Sequence, residues 1–296
     1  MKQGFLKHAA VAVSSFMAFA ATVGFLPSQP DTMTASAADC VIDTTVEYQT
    51  MRGFGGINHP EWIGDLTAAQ RQTAFGNGEN ELGFSILRVF VNEDSNQWYR
   101  AVETAKTAQS MGALVFASPW NPPSSMSEPY NGSRRLRHDK YADYAQHLNN
   151  FVLYMRENGV TLSSISVQNE PDYAHEWTWW SSDETTNFLA NYAHVIDCNV
   201  MSPETFQYTN KDFYTKILNN SKAFANTDVF ATHFYGTQRS QMDFPQLENC
   251  GKEIWMTEVY VPNSSSDADT WPEALQVSEN IHNGLVVGNM SAYVWW

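Results

Sequence analysis

The sequence has 296 residues, of which 43% are hydrophobic and 14% aromatic, so it can bury one large core and we expect one large domain. Its formal net charge of −15 should repel nucleic acid and anionic membranes, which argues against both as partners. The same charge favours a neutral substrate, or an acidic one that a local cation binds.

The first 37 residues differ in character from the rest. Lys2 and Lys7 precede an apolar run over residues 9–25, and the small residues 35–37 offer a cleavage site. This pattern predicts a secretory signal peptide over residues 1–37 and a mature, extracellular chain over residues 38–296. An uncleaved membrane anchor is the alternative, and no later segment is long and apolar enough to cross a bilayer.

The mature chain alternates short apolar runs with longer amphipathic ones. We predict eight strands, at residues 53–58, 84–90, 113–118, 164–168, 205–208, 229–233, 253–257 and 291–296. Between them we predict seven helices, at residues 66–75, 98–111, 141–158, 183–198, 212–220, 241–248 and 271–286. The alternation indicates an α/β protein with a parallel sheet, and eight strands indicate a closed (β/α)8 TIM barrel. An open doubly wound sheet is the structural alternative.

The first predicted strand is rich in glycine but does not resemble a nucleotide site. Residues 53–60 lack the G-x-G-x-x-G spacing and run into Pro60 rather than into a helix. We expect the glycines to let this strand pack tightly, with Asn58 and Trp62 near the mouth of the barrel.

Two glutamates close predicted strands. Glu170 follows the apolar run that begins at Ser164, and Glu258 ends the run that begins at Glu253. Pro171 should keep Glu170 extended, with its side chain at the carboxyl-terminal mouth, where β/α barrels keep their chemistry. Two carboxylates on two strand ends suggest glycoside cleavage. Each acid alone is also compatible with a solvated surface group or with the buried partner of an arginine.

Aromatic and amide side chains are abundant just after the predicted strands. Sugar rings stack on aromatic planes and their hydroxyls bond to amides, so this lining suits a saccharide groove. For any single aromatic residue, packing in the core is an equal alternative. The side chains are Trp120, Asn121, Asp172, Tyr173, Trp177, Trp179, Trp180, Phe234, Tyr235 and Tyr260.

Other charged residues have two interpretations each. Arg88 could form a structural ion pair, hold one acid ionised, or do both. His233, at the end of the sixth predicted strand, could be an acid-base residue or a hydrogen-bonded structural histidine. Arg134, Arg135 and Arg137 form a basic cluster that we interpret as a solvated face, with substrate contact as the alternative.

Three cysteines, Cys40, Cys198 and Cys250, remain after removal of residues 1–37. An oxidising exterior permits one disulfide and leaves an odd thiol, but the sequence does not determine the pair. None of the cysteines has metal-ligand spacing, so we infer no metal and no other cofactor.

Five motifs combine into a recognisable pattern, at residues 118–123, 167–171, 233–236, 255–258 and 292–296. Together they resemble glycoside hydrolase family 30, in the branch of bacterial glucuronoxylan endo-1,4-β-xylanases, over essentially the whole mature chain. The Asn-Glu-Pro triplet at 169–171 alone would indicate only the wider clan of retaining barrel glycosidases.

The resemblance implies a secreted, retaining, endo-acting hydrolase that cleaves β-1,4-xylosidic bonds of xylan. It implies that Glu170 is the acid/base, that Glu258 is the nucleophile, and that Arg88 lies beside the nucleophile. Six further residues fall on positions that the family uses around the cleaved sugar: Trp120, Asn169, Tyr173, Tyr235, Tyr260 and Trp295.

The sequence also departs from the family pattern. Such enzymes continue past the eighth strand into a closing helix and a side β-sandwich, and the loop after that strand carries a glucuronate-binding arginine. The sequence stops at Trp296, so we expect a fragment without these parts, with weak activity or solubility and little preference for glucuronate-bearing xylan. We expect the intact protein to be a monomer that acts on polysaccharide.

Two other functions stay open. A carbohydrate-binding barrel without catalysis could carry the same aromatic groove, although the presence of both Glu170 and Glu258 favours an enzyme. A retaining β-glucosidase or glucanase could use the same barrel and the same two acids.

Overall fold

The computed structural model describes residues 42–261 and 268–296, which divide into two compact units at Glu47 and Tyr48. In the first unit, the described residues make a turn at Asp43, whose carboxylate accepts hydrogen bonds from the amide (2.9 Å) and hydroxyl (2.6 Å) of Thr45. The second unit holds every helix and strand described below. The predicted signal peptide and Cys40 lie outside the described residues.

Eight parallel strands close into a barrel in the second unit, which confirms the predicted (β/α)8 fold. The barrel order is β1-β11-β10-β9-β8-β6-β3-β2, and β4, β5 and β7 form a separate small sheet. The strands are β1 Gly53–Asn58, β2 Ile86–Val91, β3 Leu114–Pro119, β4 Ser127–Tyr130, β5 Ser133–Leu136, β6 Ser164–Ser166, β7 Thr178–Trp179, β8 Val200–Thr205, β9 Val229–His233, β10 Glu253–Glu258 and β11 Ala292–Trp295.

Helices occupy the connections between the barrel strands, and each predicted helix has a counterpart. They are α1 Pro60–Ile63, α2 Ala68–Phe75, α3 Val102–Ser110, α4 Tyr141–Glu157, α5 Ser182–Asn191, α6 Lys211–Leu218, α7 Ser221–Ala225, α8 Pro245–Glu248 and α9 Glu273–Val286. The predicted helices 98–111 and 183–198 are shorter, because 3-10 turns take up residues Ser95–Ala101 and Ala193–Val195. Among the helices of the described ranges, none is long and apolar enough to cross a bilayer.

The fifth barrel strand is the one that the sequence analysis placed wrongly. We predicted residues 205–208, whereas β8 spans Val200–Thr205 and pairs with β6 and β9. Pro203 removes a hydrogen-bond donor from this strand, and the register shifts between Pro203 and Thr205, which leaves Glu204 as a bulged residue. The polar composition at 202–205 concealed the strand, although all six of its residues are buried.

The core has two shells that follow the alternation of side chains along each strand. In β3, Phe116 points into the barrel, whereas its neighbours Val115 and Ala117 pack outward against the helices. The largest helical contribution to the outer shell comes from α4, which buries an apolar stripe and ends at Asn158-Gly159, as predicted. The inner shell consists of Ile86, Phe116, Met201, Val229, Ala231, Trp255, Ala292 and Val294.

Close packing between β1 and β2 explains one glycine of the first strand. A Cβ atom added at Gly55 would lie 1.8 Å from the carbonyl oxygen of Ile86, a distance that no side chain can occupy. The predicted role of these glycines in tight strand packing is therefore confirmed at this position.

The small sheet was not predicted and carries part of the basic cluster. Strand β4 pairs antiparallel with β5, and β5 pairs parallel with β7. Arg135 in β5 lies 2.7 Å from the carboxylate of Glu128, and Arg137 lies 2.7 Å from that of Asp139. These neighbours balance much of the cluster's charge, in keeping with a solvated face.

Two cysteines lie in the described residues, and both carry free thiols. Cys198 and Cys250 are half-buried. Burial raises the pKa of the Cys198 thiol to about 12, so this thiol is a poor nucleophile.

Candidate active site

The two predicted acids meet at the carboxyl-terminal mouth of the barrel. Glu258 is the last residue of β10, and Glu170 lies four residues beyond the end of β6. Both side chains belong to residues that are almost buried, with 3% of Glu170 and 5% of Glu258 exposed. An oxygen of one carboxyl lies within 4.8 Å of an oxygen of the other. Sequence reasoning therefore placed both acids at the same site.

The backbone of Glu170 is not extended, which corrects the prediction made from Pro171. Its φ angle is +47°, in the left-handed region that residues other than glycine rarely adopt. The amide of Glu170 donates a 3.0 Å hydrogen bond to the carbonyl oxygen of Glu204, which is itself in the left-handed region with φ +56°. A contact with the neighbouring strand thus overrides the local preference that proline imposes, and backbone strain of this kind is common at functional sites.

Arg88 of β2 connects Glu258 to the rest of the site. Its guanidinium is fully buried and donates to Glu258, to the side-chain oxygen of Asn169 (2.6 Å) and to Glu204 (2.8 Å). Its Nε donates to the hydroxyl of Ser118 (3.1 Å). Both predicted roles of Arg88, the ion pair and the partner of an acid, are therefore present in the structure.

Glu204 is a buried carboxylate that sequence reasoning missed. It lies at the bulge of β8, has no exposed surface, and accepts hydrogen bonds from Arg88 and from Ser118 (3.0 Å). Burial alone would raise its pKa, but Arg88 and His233 lower the pKa of Glu204 to about 2. The available signal was a glutamate at the end of the run that begins at Val200.

His233, the last residue of β9, lies among the three acids. Its Nδ1 is 2.9 Å from Glu170 and 3.9 Å from Glu258, and its Nε2 is 3.6 Å from Glu204. Burial alone would lower the pKa of His233, but the charges of Glu258, Glu170 and Glu204 raise it to about 9. Burial raises the pKa of Glu170 to about 7, even though the hydrogen bond with His233 acts in the opposite direction. The site therefore pairs a cationic imidazole with a carboxyl that keeps its proton near neutral pH.

Tyr235 and Asn169 complete the polar contacts around the acids. The Tyr235 hydroxyl donates a 3.0 Å hydrogen bond to Glu258, and Asn169 accepts from Arg88. Burial raises the pKa of Tyr235, so its hydroxyl remains a donor throughout the neutral range. Both residues were predicted to belong to the site, and the structure brings both to it.

Aromatic rings line two sides of the acids. On one side, Trp120 stacks over the Arg88 guanidinium at 4.8 Å and lines a cleft of about 260 Å³ with Trp62, Phe90 and Trp177. The rings in this cleft are arranged around His59, which stacks on Trp62 at 4.2 Å.

On the other side, four rings form a row that leads away from Glu258. Tyr173 stacks on Phe206 (4.1 Å between ring centroids), Phe206 stacks on Tyr235 (4.9 Å), and Tyr235 meets Tyr260 edge to face (5.9 Å). Tyr173 is 43% exposed, so this row reaches the surface. The predicted aromatic residues Trp120, Tyr173, Tyr235 and Tyr260 thus flank the acids, and Phe206 was missed.

Trp295 ends β11, where it pairs in register with Gly56 and packs against the outer core. Its neighbour Trp296 packs against two rings of the aromatic cleft, with its ring 5.6 Å from that of Trp62 and 6.2 Å from that of Trp120. The strand end therefore lies at the site, and Trp296 joins the aromatic residues that sequence reasoning named there.

The site fits proton transfer better than metal binding. One donor atom from each of Glu170, His233 and Glu258 lies within 4.8 Å of the others, a spacing that a metal ion could use. However, Arg88 donates directly to Glu258 and the raised pKa of His233 favours the imidazolium, so positive charge already occupies this position.

A larger cavity, of about 500 Å³, opens at the amino-terminal ends of the strands, beside residues such as Ser164 and Glu253.

A (β/α)8 barrel with two carboxylates close together at its mouth has the architecture of a glycoside hydrolase. No protein-family profile matches the chain. Among curated proteins, it is 56% identical over 269 residues to glucuronoxylanase XynC of Bacillus subtilis strain 168, covering 88% of this chain and 64% of that protein. The chain thus spans less than two thirds of the length of this relative.

Solved structures of family 30 xylanases are also similar to this chain. A family 30 endoxylanase from Clostridium papyrosolvens C71 matches with a TM-score of 0.77 and 43% identity, over 84% of this chain and 66% of that one. A family 30 subfamily 8 xylanase from Clostridium acetobutylicum matches with a TM-score of 0.74 and 31% identity, over 86% of this chain and 66% of that one. The chain belongs to glycoside hydrolase family 30.

Proposed function

We propose that the chain is the catalytic barrel of a secreted, retaining, endo-acting glycoside hydrolase that cleaves β-1,4-xylosidic bonds of xylan or glucuronoxylan. The observation that carries this proposal is the approach of the Glu170 and Glu258 oxygens to within 4.8 Å at the barrel mouth. Retaining pairs of carboxyl groups stand roughly 5–5.5 Å apart and inverting pairs roughly 6.5–9.5 Å, so this short oxygen-to-oxygen distance favours retention. The printed names of the relatives, a glucuronoxylanase and an endoxylanase, support the choice of xylan.

In the first chemical step, an oxygen of Glu258 attacks the anomeric carbon of the sugar. Hydrogen bonds from Arg88 and Tyr235 fix the orientation of this carboxylate. Glu170 gives its proton to the glycosidic oxygen, so that the leaving sugar departs as a neutral alcohol. A pKa of about 7 keeps this proton available in neutral and mildly acidic solution.

In the second step, the ester between Glu258 and the sugar is hydrolysed. Because the negative charge on Glu258 has disappeared, Glu170 ionises more easily than before. It removes a proton from water, the water oxygen attacks the anomeric carbon, and Glu258 leaves as a carboxylate. The sugar therefore emerges with its original anomeric configuration.

The aromatic rings on both sides of the acids suit a polymer that runs through the site. Trp120 lies in the cleft on one side, with Trp296 packed against it, and Tyr173 and Tyr260 lie in the row on the other. Rings at several positions around the acids can stack on several sugars of one chain, which permits internal cleavage. At the end of β11 we expect Trp296 rather than the predicted Trp295 to contact the substrate, because Trp295 packs against the outer core. Early products from xylan should be oligosaccharides of mixed length, whereas xylose alone in the first minutes would indicate an exo-acting enzyme.

Activity on xylan, compared with cellulose and aryl β-glucosides, tests the proposed substrate. Reducing-sugar release from xylan should disappear in Glu258→Ala and persist in Glu253→Gln, a control on the same strand at the opposite end of the barrel. Azide should rescue Glu170→Ala and yield a β-glycosyl azide. An α-azide, or activity that survives in Glu258→Ala, would contradict the assigned roles.

Secretion is a separate part of the proposal and depends on residues 1–37. Expression of the chain in a bacterium with a general secretion pathway should release a protein whose amino terminus is Ala38. A cell-associated protein that retains Met1 would indicate an uncleaved anchor instead.

A further inference from the structure

The proposed mechanism uses Glu170 and Glu258 but leaves a third buried carboxylate without a role. Glu204 has no exposed surface, and its carboxylate lies between Arg88 (2.8 Å) and the Nε2 atom of His233 (3.6 Å). A buried carboxylate has a large desolvation cost, which only specific partners can offset. Its two cationic neighbours are also the neighbours of the two acids, Arg88 of Glu258 and His233 of Glu170.

Arg88, Glu170, Glu204, His233 and Glu258 form one buried cluster of directly contacting charged groups, and the charges of these five residues balance only if Glu204 is counted. In the proposed mechanism Glu258 attacks as a carboxylate and Glu170 carries the proton that it gives away, so before reaction the anions are Glu204 and Glu258. The cations beside them are Arg88 and His233, whose pKa is raised. After the sugar has bonded to Glu258, that residue is an uncharged ester and Glu170 is the anion. The two cations therefore face two anions in both states, and Glu204 is the anion that does not change.

We propose that Glu204 is a positioning residue that keeps this buried cluster balanced through both chemical steps. It does so by holding Arg88 against Glu258 and by keeping the ring of His233 protonated beside Glu170. This inference rests on the proposed function, because it gives Glu204 a part in the same reaction. Ser118 supports the arrangement, since its hydroxyl accepts from Arg88 and donates to Glu204.

The direction of the expected effect follows from the charges alone. Replacing an anion with a neutral side chain makes proton loss easier for every group around it. The titratable or charged groups that face Glu204 and His233 from the surrounding elements are Arg88, Glu170, Asp172, Tyr214, Tyr235 and Glu258. Glu204→Gln should therefore lower the pKa of both His233 and Glu170.

Kinetics give the first readout. In Glu204→Gln, the basic limb of the pH profile of kcat/KM on xylan should move to lower pH by on the order of one unit. Glu204→Asp keeps the charge, but its side chain is shorter and reaches Arg88 less well. The basic limb of its pH profile should therefore stay near the wild-type position while kcat falls. Glu253→Gln, which removes one carboxylate at the other end of β10, should leave the profile unchanged. A purely structural role would lower activity equally at all pH values, and an unmoved basic limb in Glu204→Gln would overturn the proposal.

A second readout needs no substrate. Nitrogen-15 NMR of the histidine rings in the full chain, with His233 assigned by comparison with His233→Asn, follows the protonation of that ring directly. In the wild type, the ring should stay protonated above pH 8, and in Glu204→Gln it should titrate at lower pH. A wild-type ring that titrates near the ordinary 6.5 would overturn the inference even if Glu204→Gln failed to fold. If the wild type hydrolysed no xylan, the proposed function would fail, and this titration would still decide whether Glu204 keeps the ring of His233 protonated.

Discussion

The protonation of Glu170 should make the stability of the folded chain depend on pH. Burial raises the pKa of Glu170 from 4.5 to about 7, with a further contribution from the charge of Glu258. In the unfolded chain the same carboxyl ionises near its ordinary pKa. The stabilisation from the neutral form is therefore fully present below about pH 4.5 and is lost as pH rises through about 7. A difference of one pKa unit corresponds to 1.36 kcal/mol, so this difference in pKa corresponds to roughly 3 kcal/mol of unfolding free energy.

Urea unfolding of the wild type and of Glu170→Gln at pH 5 and pH 8 measures this effect. Glutamine resembles the neutral acid at both pH values, so the variant lacks the dependence. Relative to Glu170→Gln, the wild type should lose about 2–3 kcal/mol of unfolding free energy between pH 5 and pH 8.

Glu253→Gln is the matched control for this experiment. Partial burial raises the pKa of Glu253, but the hydrogen bond from Arg52 outweighs it and lowers the pKa overall. The Glu253 carboxyl is thus ionised from pH 5 to pH 8, and the difference between wild type and control should stay constant. An equally constant difference for Glu170→Gln would refute the raised pKa of Glu170.

Three further substitutions test single contacts. Arg88→Met leaves buried carboxylates without their cation and should cost about 3–5 kcal/mol of unfolding free energy, measured by urea titration at pH 7. Tyr235→Phe removes the hydrogen bond to Glu258 and should lower kcat/KM on xylan about tenfold or more. The melting temperature of this variant should stay within a few degrees of the wild-type value. Gly55→Ala places a Cβ atom against the Ile86 carbonyl, so circular dichroism should detect loss of cooperative melting; a wild-type melting curve would contradict the strand packing.

Local patterns were sufficient to place the strand that ends at Glu258 and the strand that leads to Glu170, which lies four residues beyond it. The carboxyl ends of parallel strands meet at one mouth, so the order of the strands implies that the two acids converge. Arg88 was also predictable, since it is the only charged residue in the buried strand β2. Trp120, Tyr173, Tyr235 and Tyr260 followed from their positions just after strands. The same rule was wrong for Trp180 and Phe234, which are buried in the outer core.

Long-range contacts explain what the sequence did not predict. Glu204 lies in a strand interrupted by Pro203, and only pairing with β6 and β9 makes that segment a strand. The left-handed conformation of Glu170 depends on a hydrogen bond to the carbonyl of Glu204, 34 residues away along the chain. Phe206 and Trp296 directly follow β8 and β11, and both were missed because the predicted strands 205–208 and 291–296 included them.

The stereochemistry of the first product tests the central claim most directly. Proton NMR of a xylo-oligosaccharide digest, recorded in the first minutes before mutarotation, distinguishes the α and β anomers of the new reducing end. Two carboxyls that act by double displacement predict that the β anomer appears first and converts slowly to the equilibrium mixture. If the α anomer appeared first, Glu258 could not be the nucleophile and the proposed mechanism would be wrong.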